Sequence, residues 1–410
     1  MTKAKIDILF FVEHIARELD VANVVAEHIR IINPTVKIVI ASALYQIRET
    51  VDKYEPNVVV TPYCYAEDSF IYRHLLPVYG CNVRYINLAY EQICSRKNIH
   101  KKLPTDSFSK KHVKHVVWSN YFAELMREVG VRPEKIVVNG NPNFNLLTDE
   151  YKSYYPDRES IAQRFSLDTS KKWIFIPENY GPVFWSEHKI NAKIAAGFSE
   201  RFVKEYVQIS KDSFTQFLSW IAALAESDTY QIILRPKPTI NLASYQEYLS
   251  EHISLDNILV TKSMSIRDWI HGSDIVLSNL STSVLDAVVA NKHAALVKPI
   301  KYPSEYAADW HDEMTQITSY EDLKKFIQQP HTESIDRIRS WVGDYFNHEA
   351  LKNLAEILIQ ESQFDEEIEK FTFRDFPRAK NHRIYLSDDD LEKVNISDMK
   401  LRWAKVIGKI

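Results

Sequence analysis

The chain has 410 residues, of which 45% are apolar and 26% charged, with a formal net charge of −4. That composition describes a globular protein with a substantial core, and the length argues for two domains rather than one. The charge balance gives no basic footprint for nucleic acid, no run of about 18 apolar residues is available to span a bilayer, and the three cysteines form no C-x-x-C pair.

The N-terminus, MTKAKIDILFFVEH, lacks the apolar core and cleavage site of a signal peptide and reads as a first strand, 5–12. With reduced thiols expected at Cys64, Cys81 and Cys94, the chain reads as cytoplasmic, with a peripheral contact at the inner membrane face left open. A helix is predicted over about 14–32. Strands are predicted at 36–42 and 57–63 and from Val83 and His115, then a helix over 123–129 and a strand running out to Gly140. Strands alternating with helices imply a parallel sheet covered on both faces, so 1–155 reads as a Rossmann-like domain.

The polar stretch YKSYYPDRES reads as a hinge. A second alternating set, 156–342, begins at KKWIFIPENY and continues through a helix at 213–225, the strand YQIILRP, NILVTK, SDIVLSNLSTSVLDAVVANK and AALVK. His293 is expected in the turn before that last strand. Residues 343–410 read as C-terminal helices and a charged tail.

Within the second set, the strand YQIIL runs directly into Arg235-Pro236-Lys237-Pro238. The prolines stop the sheet ladder and hold two cations at a strand exit, where Arg offers a planar fork and Lys a point charge to phosphate. A solvated basic turn is the alternative. The strand ending at Ser278 leads into Ser281-Thr282-Ser283, with Asp286 three residues after Ser283 in the S-x-x-D pattern of a capped helix start. Unpaired helix N–H groups beside hydroxyls suit an anion, although a plain cap has the same signature. Glu178 and Asn179 leave the first strand of this domain, where ligands of open α/β sheets bind.

The first domain carries its own polar strand exits. Glu13, His14 and Arg17 follow the first strand, with Glu13 and Arg17 at helical i,i+4 spacing, and Glu91 follows the strand RYINLAY. A carboxylate partly desolvated there is a candidate general base; a surface ion-pair face is the alternative. The chain has eight glycines and contains neither G-x-G-x-x-G nor G-x-x-x-x-G-K-[ST], which argues against a dinucleotide fold and a P-loop. His112 and His115 lack a third ligand nearby, and Asp388-Asp389-Asp390 reads as a solvated acidic turn, so no metal is expected. The last stretch, MKLRWAKVIGKI, reads either as packing or as a basic amphipathic surface segment.

Six segments, ILFFVEHIARELD, Glu91-Gln92, GNPNF at 140–144, RPKP at 235–238, SNLSTSVLDAVVANK and DYFNHEALKNLAEIL, occur in this order and span most of the chain. On them the chain resembles bacterial surface carbohydrate (capsule and O-antigen) biosynthesis proteins, and more distantly Kdo transferases, bacterial sialyltransferases and polyol-phosphate transferases of wall teichoic acid. The resemblance implies a GT-B-like α/β fold, two Rossmann-like domains facing each other across a cleft, with C-terminal helices. It implies a metal-independent glycosyltransferase without a cofactor. Such an enzyme acts on a nucleotide-sugar donor, leaning to a CMP-linked sugar acid such as CMP-Kdo, and on a glycan or lipid-linked glycan acceptor.

In that reading Arg235, Lys237, Ser281, Thr282 and Ser283 hold the donor phosphate, and Glu178 and Asn179 meet the donor sugar, Glu178 being counted with Glu13 and Glu91 among the catalytic residues. Glu13, Glu91, His14 and Arg17 form the acceptor side, Glu13 being the first choice of base. Lys237 stands where these relatives usually carry His, and GNPNFN replaces GNPRFD, so no role is carried to Asn143 or Asn145. A CDP-polyol phosphotransferase, a UDP-sugar epimerase and a non-catalytic member of an assembly complex remain as alternatives.

Overall fold

A computed structural model of the protein describes residues 2–65, 74–80, 83–237, 239–331, 342 and 344–363. Cys81, Pro238, the Asp388-Asp389-Asp390 run and the stretch at 399–410 lie outside the described residues. The chain forms two compact units, Met1–Leu146 together with Gly343–Ile410, and Leu147–Val342.

The first unit holds a six-stranded sheet in the order β2-β1-β3-β4-β5-β6. Its strands are β1 (Ala4–Val12), β2 (Ile38–Ser42), β3 (Tyr54–Thr61), β4 (Arg84–Asn87), β5 (Val113–Val117) and β6 (Ile136–Val138). Every pairing is parallel; Leu9 of β1, for example, aligns with Val39 on one side and Val59 on the other. A parallel sheet covered on both faces needs unbroken apolar strands rather than alternation. The run Ile8 to Val12 is accordingly buried along its whole length.

The C-terminal helix Ala350–Gln363 belongs to this unit. Its buried stripe, Leu351, Leu354, Ala355 and Leu358, packs against the helix Ile15–Ile32 and strands β1 and β3. Its start is seated on the GNPNFN turn. Asn145 Oδ1 accepts from the Leu351 N–H at 3.0 Å, Asn139 Nδ2 donates to Ala350 O at 3.0 Å, and Asn347 Nδ2 donates to Asn139 O at 3.0 Å. Gly140, at φ +87°, lies so close to Asn347 that a Cβ on it would stand 2.6 Å from the Asn347 Cβ. Glycine is therefore required there on both conformational and steric grounds.

The second unit repeats the plan with the order β12-β11-β10-β7-β8-β9, again all parallel. These strands are β7 (Lys172–Pro177), β8 (Tyr230–Arg235), β9 (Ile258–Val260), β10 (Ile275–Ser278), β11 (His293–Val297) and β12 (Gln316–Ile317). The two sheets with their helices are the expected GT-B-like α/β fold class.

Three local expectations are corrected. The helix expected at 213–225 runs over Glu200–Ala225, capped by Ser199, whose hydroxyl accepts from the Phe202 N–H. Its first half buries little beyond Val203, Val207 and Ser210, so a polar sequence concealed it. His293 opens β11, opposite Ile275, instead of lying in the preceding turn. The stretch read as a hinge forms a 3-10 helix, Asp149–Tyr154, and then the helix Arg158–Phe165 capped by Asp157. Arg158 donates to Lys171 O at 2.6 Å, to Asp274 Oδ2 at 2.9 Å and to Gly272 O at 3.2 Å, and lies over the Trp173 ring. That segment is tied to the second unit.

Candidate functional site

In the first sheet the chain leaves β1 toward β2 and then returns to β3 on the other side, so the switch point lies between β1 and β3. Ligands of open α/β sheets bind at the carboxyl ends of the strands at such points. β1 delivers Glu13 and His14 there, and the helix Ile15–Ile32 supplies Arg17 and Glu18 in its first turn. Glu18 is fully buried and reaches back to the Glu13 main-chain N–H at 2.6 Å. Arg17 binds the Glu18 carboxylate at 2.6 Å and 3.0 Å, Glu91 at 3.3 Å and Glu13 at 3.4 Å. Glu91 also pairs with Lys102, whose ammonium lies 5.0 Å from the centre of the Tyr65 ring. Thus Glu13, Arg17 and Glu91 come together, and His14 Nε2 stands 3.9 Å from Glu13.

The carboxylates of this cluster are not equivalent. Burial raises the Glu13 carboxyl above its ordinary value, with His14 and Arg17 pulling it partly back. Burial also acts upward on Glu91, but Lys102 and Arg17 outweigh it and hold that carboxyl at about 2. A carboxylate held so firmly ionised is a weak base. Glu91 thus pairs with Arg17 and Lys102 and is the more firmly ionised of the two expected bases, Glu13 the less.

The second sheet has its switch point between β7 and β10. There the Asn179 N–H donates to Asn279 Oδ1 at 2.8 Å, and Ser278 Oγ donates to Pro177 O at 2.6 Å, locking the two strand exits together. Glu178 is buried; its N–H donates to Arg235 O at 3.1 Å, its Oε2 accepts from the Tyr180 N–H, and its Oε1 has no hydrogen-bond partner among the described residues. Burial pushes the Glu178 carboxyl up to about 7, against the pull of the Tyr180 and Lys237 N–H groups and the Lys237 charge. Lys237 itself is exposed at the exit of β8.

Two expectations in this unit change. Arg235 is buried and donates through Nη2 to Met264 O at 2.8 Å and Lys262 O at 3.3 Å. Through Nη2 it clamps the loop in which Met264 takes φ +68°, its Nε has no hydrogen-bond partner among the described residues, and Lys237 is exposed. Burial lowers the Arg235 guanidinium to about 10, against the pull of Asp268. Arg235→Ala should cost the second unit about 2–4 kcal/mol, because two part-buried carbonyls lose their donor and a cavity remains. Denaturant unfolding checks this; unchanged stability with lost nucleotide binding would return Arg235 to the ligand.

The helix expected to start as a capped S-x-x-D turn begins at Ser283 with Thr282 as cap residue, and the Thr282 side chain makes no capping bond. Asp286 is thus the fourth helical residue, one position beyond the reach of a capping box. The Ser281 hydroxyl does the work instead: it accepts from the Ser283 N–H at 3.2 Å and lies 2.9 Å from Ser283 Oγ. Ser283 is buried by this pairing, leaving Ser281 and Thr282 as the half-exposed hydroxyls.

Sequence reasoning gave no role to Glu18, Lys102 or Asn279. An acidic residue on the apolar face of a helix was the available sign for Glu18, and position immediately after a strand was the sign for Asn279. His115, by contrast, is a core histidine between Asn87 Nδ2 and Ser109 O, and burial lowers it to about 4. Among the described residues no group of three or more His, Cys, Asp or Glu could hold a metal ion. No helix among them is long and apolar enough to cross a membrane.

No protein-family model matches the chain, and no curated protein matches it. Its structure is similar to that of the wall teichoic acid polymerase TagF H444N soaked with CDPG, with TM-score 0.54 and 13% identity over 87% of this chain and 89% of that one. It is also similar to S. aureus MnaA bound to UDP, with TM-score 0.53 and 11% identity over 90% and 100% of the two chains. A third similar structure is the Methanocaldococcus jannaschii UDP-GlcNAc 2-epimerase with UDP-GlcNAc and UDP, with TM-score 0.53 and 11% identity over 87% and 99%. At these identities the likeness is one of fold: two Rossmann-like domains of GT-B type.

Proposed function

We propose that the protein is a glycosyltransferase of surface-polysaccharide synthesis, working in the cytoplasm on a nucleotide-sugar donor. The observation that carries this reading is the polar constellation at the β7–β10 switch point, buried Glu178 with an oxygen unpartnered among the described residues, Asn179 held by Asn279 and half-exposed Ser281 and Thr282, with exposed Lys237 at the neighbouring exit of β8. Lys237 and the two hydroxyls take the donor phosphate, and Glu178 and Asn179 take the sugar. In the first unit Glu13 accepts the proton of the acceptor hydroxyl, with Arg17 and Glu91 holding its surroundings. A metal is not invoked, because Lys237 supplies the positive charge.

The donor is proposed to be linked through a nucleoside diphosphate, since the similar structures carry UDP and CDPG. The CMP-linked sugar acid suggested by the sequence has no such support. A thermal-shift panel of UDP, CDP, CMP and GDP tests this, because a ligand that binds the native state alone raises the melting temperature. A diphosphate should give the largest shift, and Lys237→Ala should weaken its binding ~10- to 100-fold, the worth of a charge-assisted contact. No shift with any nucleotide would sink the proposal.

A second reading, polyol-phosphate transfer from a CDP-linked donor, is favoured by the likeness to TagF, and a phosphodiester in the product would select it. UDP-sugar epimerisation is favoured by the likeness to the epimerase, and turnover without any acceptor would select that.

A further inference from the structure

The second unit contains a cavity far along its strands from Glu178 and Ser281. It lies at the amino ends of β7, β10 and β11, has a volume of about 370 Å³, and is lined by Lys172, Ser273, Asp274, Asn291, Lys292 and His293. That volume falls within the roughly 300–1,000 Å³ of small-molecule sites.

The wall has an uncompensated positive charge. The Asp274 carboxylate is already engaged, its Oδ2 accepting from Arg158 at 2.9 Å and from the Trp173 N–H at 2.7 Å. Lys292 Nζ donates to His271 O at 2.8 Å and Ser273 O at 3.0 Å, and Lys172 Nζ donates to Ile327 O at 3.2 Å. An ammonium has three donors, so both lysines retain N–H groups beyond these carbonyls. Among the described residues neither lysine has a carboxylate in ion-pair contact. Burial, together with Lys152 and Arg158, lowers the Lys292 ammonium from its ordinary value, against the pull of Asp274.

A second, independent observation is Ser273. It is 1% exposed and its hydroxyl has no hydrogen-bond partner among the described residues. A buried hydroxyl left unsatisfied costs stability and is rare in native structures. Asn291, at φ +55°, turns the chain so that Lys292 and His293 follow it into the wall. We propose that this cavity is a binding site for a small phosphate-bearing anion, held by the Lys172 and Lys292 ammonium groups and the Ser273 hydroxyl. The site is separate from the nucleotide-binding residues and does not depend on their assignment.

Calorimetric titration of the full chain with inorganic phosphate and with pyrophosphate, at ionic strength matched with chloride, tests the proposal. Saturable binding is expected for at least one of them. Ser273→Ala and Lys172→Gln should each weaken it on the order of tenfold, the worth of one hydrogen bond to a charged group, and should do so equally in a Lys237→Ala background, where the proposed donor-phosphate site is itself weakened. Ser273→Ala without ligand should melt at or slightly above the wild type, since it removes a buried hydroxyl that has no partner among the described residues. Absence of saturable binding by the wild type would overturn the site. So would binding that is undiminished in both variants, or binding abolished by Lys237→Ala.

Discussion

Arg17→Ala is expected to remove about 3–5 kcal/mol from the stability of the first unit, the cost of leaving a buried charge without its partner. Glu18 is fully buried and its carboxylate takes two bonds from the Arg17 guanidinium. The same guanidinium separates Glu18 from Glu13 and Glu91, so its removal leaves three carboxylates facing one another. Arg17 is itself about one-third exposed, which pulls the expected loss toward the lower end. Denaturant unfolding of Arg17→Ala beside Glu18→Gln and the double variant measures the coupling. Strictly additive losses would show that the pair is not the unit of stability described above.

The second large effect is on turnover. Glu13→Gln is expected to lower it ~10²- to 10⁴-fold, the usual worth of a positioned general base, with nucleotide affinity unchanged. The sign of the pH dependence follows from the direction of the shift. The Glu13 carboxyl titrates above its ordinary 4.5 because it is buried. The base must be ionised, so wild-type turnover should fall as pH drops through that raised value, and the residual activity of Glu13→Gln should lack this acid limb. Stability should move the other way: the ionised form is penalised in the fold, so this group's contribution is lost as pH rises through its folded value. A Glu13→Gln variant with undiminished turnover would remove Glu13 from the chemistry.

The architecture was legible because parallel sheets leave a strong imprint: ILFFV, NVVV, WIFIP and IVLS are too uniformly apolar to be anything but strands buried on both faces. The strand exits were legible for the same reason, since polar residues directly after such runs can only lie at an edge. Which way each side chain turns was not. Arg235 and Lys237 stand two residues apart in one basic turn, yet one is buried against Met264 O and Lys262 O while the other meets solvent. That choice is made by the 262–264 loop, which arrives from elsewhere in the chain. Glu13, Glu18 and Glu91 likewise look alike in sequence, and the cations that set them apart, Arg17 and Lys102, act through space. The GNPNFN turn and the segment around Asn347 could each be recognised as motifs; that they hold one another depends on a close approach no local pattern encodes.

The return of the helix Ala350–Gln363 to β1 and β3 has a consequence for how the protein is made. The first unit is split in sequence and the second is continuous. During translation the groove awaiting Leu351, Leu354 and Leu358 stays uncovered until the chain past residue 342 has been synthesised. The half of the molecule that begins to emerge first from the ribosome is therefore the half completed last.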